Sequence, residues 1–207
     1  MRYPLAPNAI WWGIQGEAHL RGFQMAFLRL AGCSVGCPGC DTDYSIAEKA
    51  ETAEIVERLQ AVSPAGDRDK WVWITGGEPA DHFLSPLLGA LKNAGFATAV
   101  ATSGAKRVIP PVDWLSVSPH SVEPGKFLQR CGSEVKVVDG LNGLSLEDWH
   151  RLWPDDTNDF MYRYVQPLWD NEKGCEDPES IARCLAFLKT RPRWSLSRQD
   201  HKHWRVP

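Results

Sequence analysis

Six short apolar runs, five of them ending in glycine or proline, alternate with helical stretches along the chain. That alternation restricts the sequence to an α/β architecture in which helices cross over between parallel strands. The runs are 25–32 (MAFLRLAG), 71–77 (WVWITGG), 96–104 (FATAVATSG), 113–119 (DWLSVSP), 133–138 (SEVKVV) and 160–167 (FMYRYVQP). Between them, 51–62 places Ile55, Val56, Leu59 and Val62 on one helical face, and 84–95 reads as a helix stopped by Gly95. Segment 144–153 opens with Ser145 and has Asp148 three residues on, a capping box. Segment 177–190 takes Asp177 as N-cap and Pro178 in its first turn, with Ile181, Cys184, Leu185 and Leu188 as its apolar face. A closed eight-fold barrel takes about 250 residues. A chain of 207 instead fits a partial, open β/α barrel of about six parallel strands. Active sites in such folds lie at the C-terminal ends of the strands.

No linker, repeat or low-complexity stretch divides the sequence, so residues 1–207 read as a single domain. The net charge of −3 argues against a protein that coats nucleic acid, which needs a basic surface. No run approaches the roughly 20 apolar residues of a membrane span. The N-terminal MRYPLAPNAIWW lacks the apolar run and cleavage site of a secretory signal. The expected compartment is therefore the cytoplasm, where cysteines stay reduced or bind metal.

Cys33, Cys37 and Cys40 follow the first apolar run with spacing C-x3-C-x2-C. Gly32, Gly36 and Gly39 let the backbone turn tightly enough for three sulfurs to converge, and Pro38 stiffens the loop. Three thiolates suit a cubane iron–sulfur cluster that leaves its fourth iron open to an external ligand. Two other arrangements use the same residues. One is a zinc site completed by Asp41, Asp43, Cys131 or Cys175; the other is a closed electron-transfer cluster with a distant fourth cysteine.

The triplet after a first strand, followed by Gly76-Gly77-Glu78-Pro79 at the end of the next, resembles the two signature motifs of the radical S-adenosylmethionine enzymes. From about residue 8 onward the chain is similar to one family among them, the 7-carboxy-7-deazaguanine synthases. The resemblance is carried by Gln15-Gly16-Glu17, by the strand FLRLAGC and by Cys40-Asp41-Thr42. It extends to Ser118-Pro119 and to a tail with Leu196, Ser197, Gln199, His201 and Lys202. Three positions depart from the family's pattern: Gly39 stands where an aromatic residue is usual, His120 where lysine is usual, and Asp200 where threonine is usual.

The resemblance implies a carbon–nitrogen lyase with a [4Fe-4S] cluster on Cys33, Cys37 and Cys40, S-adenosylmethionine and Mg2+. It implies ring contraction of 6-carboxy-5,6,7,8-tetrahydropterin to 7-carboxy-7-deazaguanine with loss of ammonia, in 7-deazapurine (queuosine-type) biosynthesis. Hydrogen is taken from carbon 6 of the pterin. Thr42 is the implied Mg2+ contact, its hydroxyl suiting a hard cation. Gly76, Gly77, Glu78, Thr102, Ser103, Ser118 and Gln166 are the implied S-adenosylmethionine contacts. Gln15, Glu17, Arg29, His201 and the terminal Pro207 are the implied substrate contacts, Arg29 pairing with the pterin carboxylate. The tail 191–207 is expected to close over the site. A flavodoxin or ferredoxin electron donor and a homodimer are also implied, with no nucleic-acid or membrane partner. A glycyl-radical-enzyme activating enzyme and a zinc-stabilised binding module are the competing readings.

Overall fold

The computed structural model describes residues 1–38, 40, 42–64, 70–109 and 111–206. The strands are β1 (Arg2–Ile14), β2 (Gln24–Leu30), β3 (Glu48–Glu51), β4 (Trp71–Gly76), β5 (Ala97–Thr102), β6 (Trp114–Val117), β7 (Gly132–Val138), β8 (Phe160–Gln166), β9 (Trp169–Asp170), β10 (Cys175–Glu176) and β11 (Trp194–Leu196). The helices are α1 (Thr52–Val62), α2 (Ser85–Asn93), α3 (Leu146–Leu152), α4 (Pro178–Leu188) and α5 (Asp200–Trp204).

Nine strands form one sheet in the order β3-β1-β2-β4-β5-β6-β7-β8-β11, while β9 and β10 make a small hairpin. The six expected strands are β2 and β4 to β8, all parallel to one another, and β11 joins β8 as a further parallel strand. Strand β1 was not among the sequence expectations. It runs antiparallel to β2, which a short connection permits and a parallel pair does not.

Successive residues along each strand face opposite layers. Leu28, Leu30, Val72, Ile74, Val100, Val117, Val135 and Val165 pack outward against Ile55, Leu59, Leu87, Leu91, Trp149 and Cys184 of the helices. Phe27, Met25, Trp73 and Ala99 face inward, joined by Leu20, Trp11 and Trp114. Burial on both faces makes these strands continuous apolar runs in sequence. Helix α4 is rotated from its expected face: Ser180, Cys184 and Phe187 are buried, and Leu185 is exposed.

The open barrel is tied across by residues 15–23. The Ala18 N–H donates to Ser197 Oγ at 3.0 Å, and the His19 N–H donates to Glu134 Oε2 at 3.0 Å. The His19 ring stacks on Tyr162 with 3.8 Å between centroids. One connection thereby holds β1 to strands at the far side of the sheet.

The capping box of α3 forms as its sequence requires. Ser145 Oγ accepts the Asp148 N–H at 3.3 Å, and Asp148 Oδ2 accepts the Ser145 N–H at 2.8 Å. Ser145→Ala is expected to cost about 1 kcal/mol, the usual value of a lost N-cap. An unchanged urea midpoint would show that tertiary packing alone sets this helix start.

Candidate active site

The inward side chains and the loops at the C-terminal strand ends enclose a cavity of about 440 Å³. That size suits a small-molecule site. Every described residue named above as a cluster, Mg2+, cofactor or substrate contact lies in its wall: Cys33, Cys37, Cys40, Thr42, Gln15, Glu17, Arg29, Gly76, Gly77, Glu78, Thr102, Ser103, Ser118, Gln166 and His201. Pro207, Gly39 and Asp41 lie outside the described residues.

The glycine pair at the end of β4 serves close packing. A Cβ on Gly77 would stand 1.8 Å from the Gly32 carbonyl oxygen, and one on Gly76 would stand 2.0 Å from that of Leu30. The Gly77 N–H donates to Leu30 O and the Glu78 N–H to Gly32 O, each at 3.0 Å. Bare backbone therefore seats the start of the thiol loop against β4. Glu78 is almost wholly buried. Its Oε1 accepts Thr102 Oγ1 at 2.6 Å and the Ala80 N–H at 2.9 Å, and its Oε2 accepts the Ser103 N–H at 2.8 Å and the Ser103 hydroxyl. About four acceptor positions are all that a carboxylate has. These contacts fix the end of β5 and the turn that follows Glu78.

Burial pushes the Cys37 thiol up, and the Cys33, Cys40 and Glu78 charges add to it. Crowded sulfurs of this kind favour a metal centre, which reverses the penalty by holding them as thiolates. Among the described residues, no three His, Cys, Asp or Glu side chains converge on a single-ion position. A tetrahedral zinc needs sulfurs about 3.8 Å apart, given Zn–S bonds of about 2.3 Å. Cys131 and Cys175 are not in the cavity wall, whereas Asp43 lines the cleft beside Cys37 and Cys40. The donor set fits a cluster, which spreads its ligands over separate irons. His120 Nδ1 stands 2.9 Å from Cys37 Sγ. Burial, then the Lys136 ammonium, holds the His120 imidazole below the ordinary histidine range.

On the opposite wall Arg29 lies over the Trp11 ring, 4.8 Å from its centroid, and Trp11 stacks on Phe27 at 4.9 Å. Glu17 pairs with Lys136 and accepts from Gln166 Nε2 at 3.3 Å. Burial opposes the Glu17 charge, but Lys136, His201 and a hydrogen bond from Gln199 outweigh it and hold the carboxyl below the ordinary glutamate range. Lys136 and Glu134 also line the cavity and are functional candidates outside the sequence motifs. Two charges two residues apart in SEVKVV fall on one strand face, and that was the available signal. Glu134 is buried with Oε1 lacking a hydrogen-bond partner. Burial pushes its carboxyl up, against the His19 N–H that donates to Oε2 and against the charge of Lys136.

The tail is docked over this wall. A Cβ on Gly16 would lie 2.5 Å from His201 Nδ1, and the Asp200 N–H donates to Gly16 O at 3.0 Å. Glu176 clasps the same segment: Arg198 Nε donates to its Oε1 at 2.9 Å, and His203 Nε2 stands 2.9 Å from its Oε2. Glu176→Gln is expected to free the tail more often, by about 1–2 kcal/mol because Arg198 is half in water, or five- to thirty-fold in the open fraction. Limited proteolysis between residues 191 and 206 measures this; equal cleavage rates would remove Glu176 from the clasp.

An open α/β barrel with a three-thiol loop after its first parallel strand and Gly-Gly-Glu after the next has the fold of the radical S-adenosylmethionine enzymes. The 7-carboxy-7-deazaguanine synthase of Escherichia coli is 36% identical over all of both chains. That of Burkholderia multivorans is 32% identical, covering 98% of this chain and 99% of its own. The crystal structure of QueE from Escherichia coli superposes with a TM-score of 0.74 at 27% identity, over 96% of this chain and 94% of that one. No family model matches the sequence. The chain belongs to the 7-carboxy-7-deazaguanine synthase family.

Proposed function

We propose that the chain converts 6-carboxy-5,6,7,8-tetrahydropterin to 7-carboxy-7-deazaguanine and ammonia, with a [4Fe-4S] cluster, S-adenosylmethionine and Mg2+. The observation that carries this reading is the meeting of Gln15, Glu17, Arg29 and His201 with three thiols around one cavity, although they come from both ends of the chain. The substrate less ammonia has the composition of the product, so the reaction consumes no net oxidant. Cys33, Cys37 and Cys40 would hold the cluster, which with S-adenosylmethionine supplies one-electron, hydrogen-abstracting chemistry.

The chain's own residues bind and orient. Arg29 meets the pterin carboxylate, its plane already set by Trp11. The Glu17 carboxylate accepts from the N–H groups of the pyrimidine edge, and Gln15 completes that edge. Gln166 steadies Glu17, and its own carbonyl accepts from Ser197 at 2.8 Å. Glu78 attracts the methionine ammonium by its buried charge and places Thr102 and Ser103, while the Gly76-Gly77 backbone and Ser118 complete the cofactor's bed. His201 and the docked tail exclude water, with Pro207 as a further substrate contact. Thr42 would supply an oxygen to Mg2+. A flavodoxin or ferredoxin donor, a homodimer and a cytoplasmic setting complete the reading. Among the described residues no helix is long and apolar enough to cross a membrane.

Metal and sulfide analysis of protein purified without oxygen tests the site. Iron with sulfide supports the reading; zinc without either overturns it. Thr42→Ala is expected to weaken Mg2+ stimulation of turnover severalfold and to leave the cluster's spectrum unchanged. Loss of the cluster in that variant would assign Thr42 to the loop's structure instead.

A further inference from the structure

We propose that His120 donates a hydrogen bond to the Cys37 sulfur and so raises the reduction potential of the cluster that Cys33, Cys37 and Cys40 would hold. The inference rests on the cluster reading above and concerns a residue to which the family pattern gives no such role, since lysine is usual there. His120 Nδ1 is 2.9 Å from Cys37 Sγ. A thiolate bound to iron only accepts hydrogen bonds, so the ring nitrogen facing it carries the proton. The backbone of His120 is anchored on both sides. Asn142 Nδ2 donates to the His120 carbonyl at 2.9 Å, and Pro119 before it is buried at the end of β6. The turn after β6 thereby delivers one ring to one ligand.

The effect follows from charge. Reduction adds an electron that is shared onto the ligand sulfurs, and an N–H aimed at one of them stabilises the more negative state. A lysine at this place would bring a mobile charge, whereas histidine brings a directed ring N–H.

The test uses the full chain, reconstituted anaerobically with iron and sulfide and titrated by electron paramagnetic resonance without substrate. His120→Leu removes the donor. His120→Asn keeps an N–H near the Nδ1 position. With equal iron and sulfide, His120→Leu is expected to show about a tenfold lower ratio of reduced to oxidised cluster at a fixed solution potential, which is 59 mV for one electron. His120→Asn is expected to recover most of that loss. A Leu variant that titrates with the unaltered protein overturns the proposal. If His120→Leu fails to take up a cluster, protein labelled with nitrogen-15 histidine decides. A nitrogen-15 coupling to the reduced cluster that vanishes in His120→Asn supports the contact; its absence from the unaltered protein overturns it. Protein that takes up no iron and sulfide at all overturns the cluster reading itself.

Discussion

Gly77→Ala is expected to leave the thiol loop unable to hold the proposed cluster and to cost about 3 kcal/mol of stability, the range of an overpacked core site. The new methyl carbon lands 1.8 Å from Gly32 O and 2.5 Å from the Gly32 carbonyl carbon. Both are backbone atoms, so no rotamer change relieves the overlap. Relief requires the end of β4 to part from residues 30–33, which breaks the paired bonds from Gly77 to Leu30 and from Glu78 to Gly32. Cys33 is the next residue along, and Glu78 carries Thr102 and Ser103 with it. Gly89→Ala is the control. It lies in α2 with nothing within 4 Å of a new Cβ, and alanine there is expected to stabilise by up to about 1 kcal/mol. Iron and sulfide per chain, together with urea midpoints, decide the matter. A Gly77→Ala protein with a full cluster would show that the junction does not set the loop.

Lys136→Met is expected to cost about 3–5 kcal/mol at neutral pH and to reverse the pH dependence that Glu17 contributes. Removing one partner of a buried ion pair leaves the other charge uncompensated. In the unaltered protein the Glu17 carboxyl is held below its ordinary value. Its contribution is present above the unfolded carboxyl pKa of about 4.3 and is lost as pH falls through the lower folded value. Without Lys136, burial, the largest single influence, is opposed only by His201 and a hydrogen bond from Gln199, and the folded pKa is expected to rise above the unfolded one. The protonated form is then the favoured one. Stability is present below the unfolded pKa and lost as pH rises through the folded value. Glu134 moves in the same sense, since Lys136 also restrains its upward shift. Urea unfolding at neutral pH and in mild acid should show the variant recovering on acidification. Lys136→Arg, which keeps the charge, should not. Parallel pH profiles for the Met variant and the unaltered protein would remove Lys136 from control of Glu17.

The parallel strands were legible because burial on both faces leaves nearly unbroken apolar runs ended by glycine or proline. Helices α1 and α3 were legible from periodicity and from the Ser145 cap. Strand β1 was not. Its register shifts between Leu5 and Ile10, Asn8 has a φ of 51°, and Leu5 and Ala6 are both buried. That irregularity erases the period-two pattern by which a strand is recognised. Strand β11 has three residues and α5 has five, too few to carry a period. The motifs named the cavity's residues but not their couplings. Gln-Gly-Glu reads as a polar loop, and only the fold shows that Gly16 is small because His201 lies against it. SEVKVV reads as a strand, and the partner of Lys136 stands 119 residues away at Glu17.

The most direct test of the central claim is anaerobic turnover of 6-carboxytetrahydropterin deuterated at carbon 6, with S-adenosylmethionine, Mg2+ and a reductant. The expected products are 7-carboxy-7-deazaguanine and ammonia, with the deuterium recovered in the adenosyl group's 5′-carbon. Deoxyadenosine formed without deuterium and without the deazaguanine acid would contradict it.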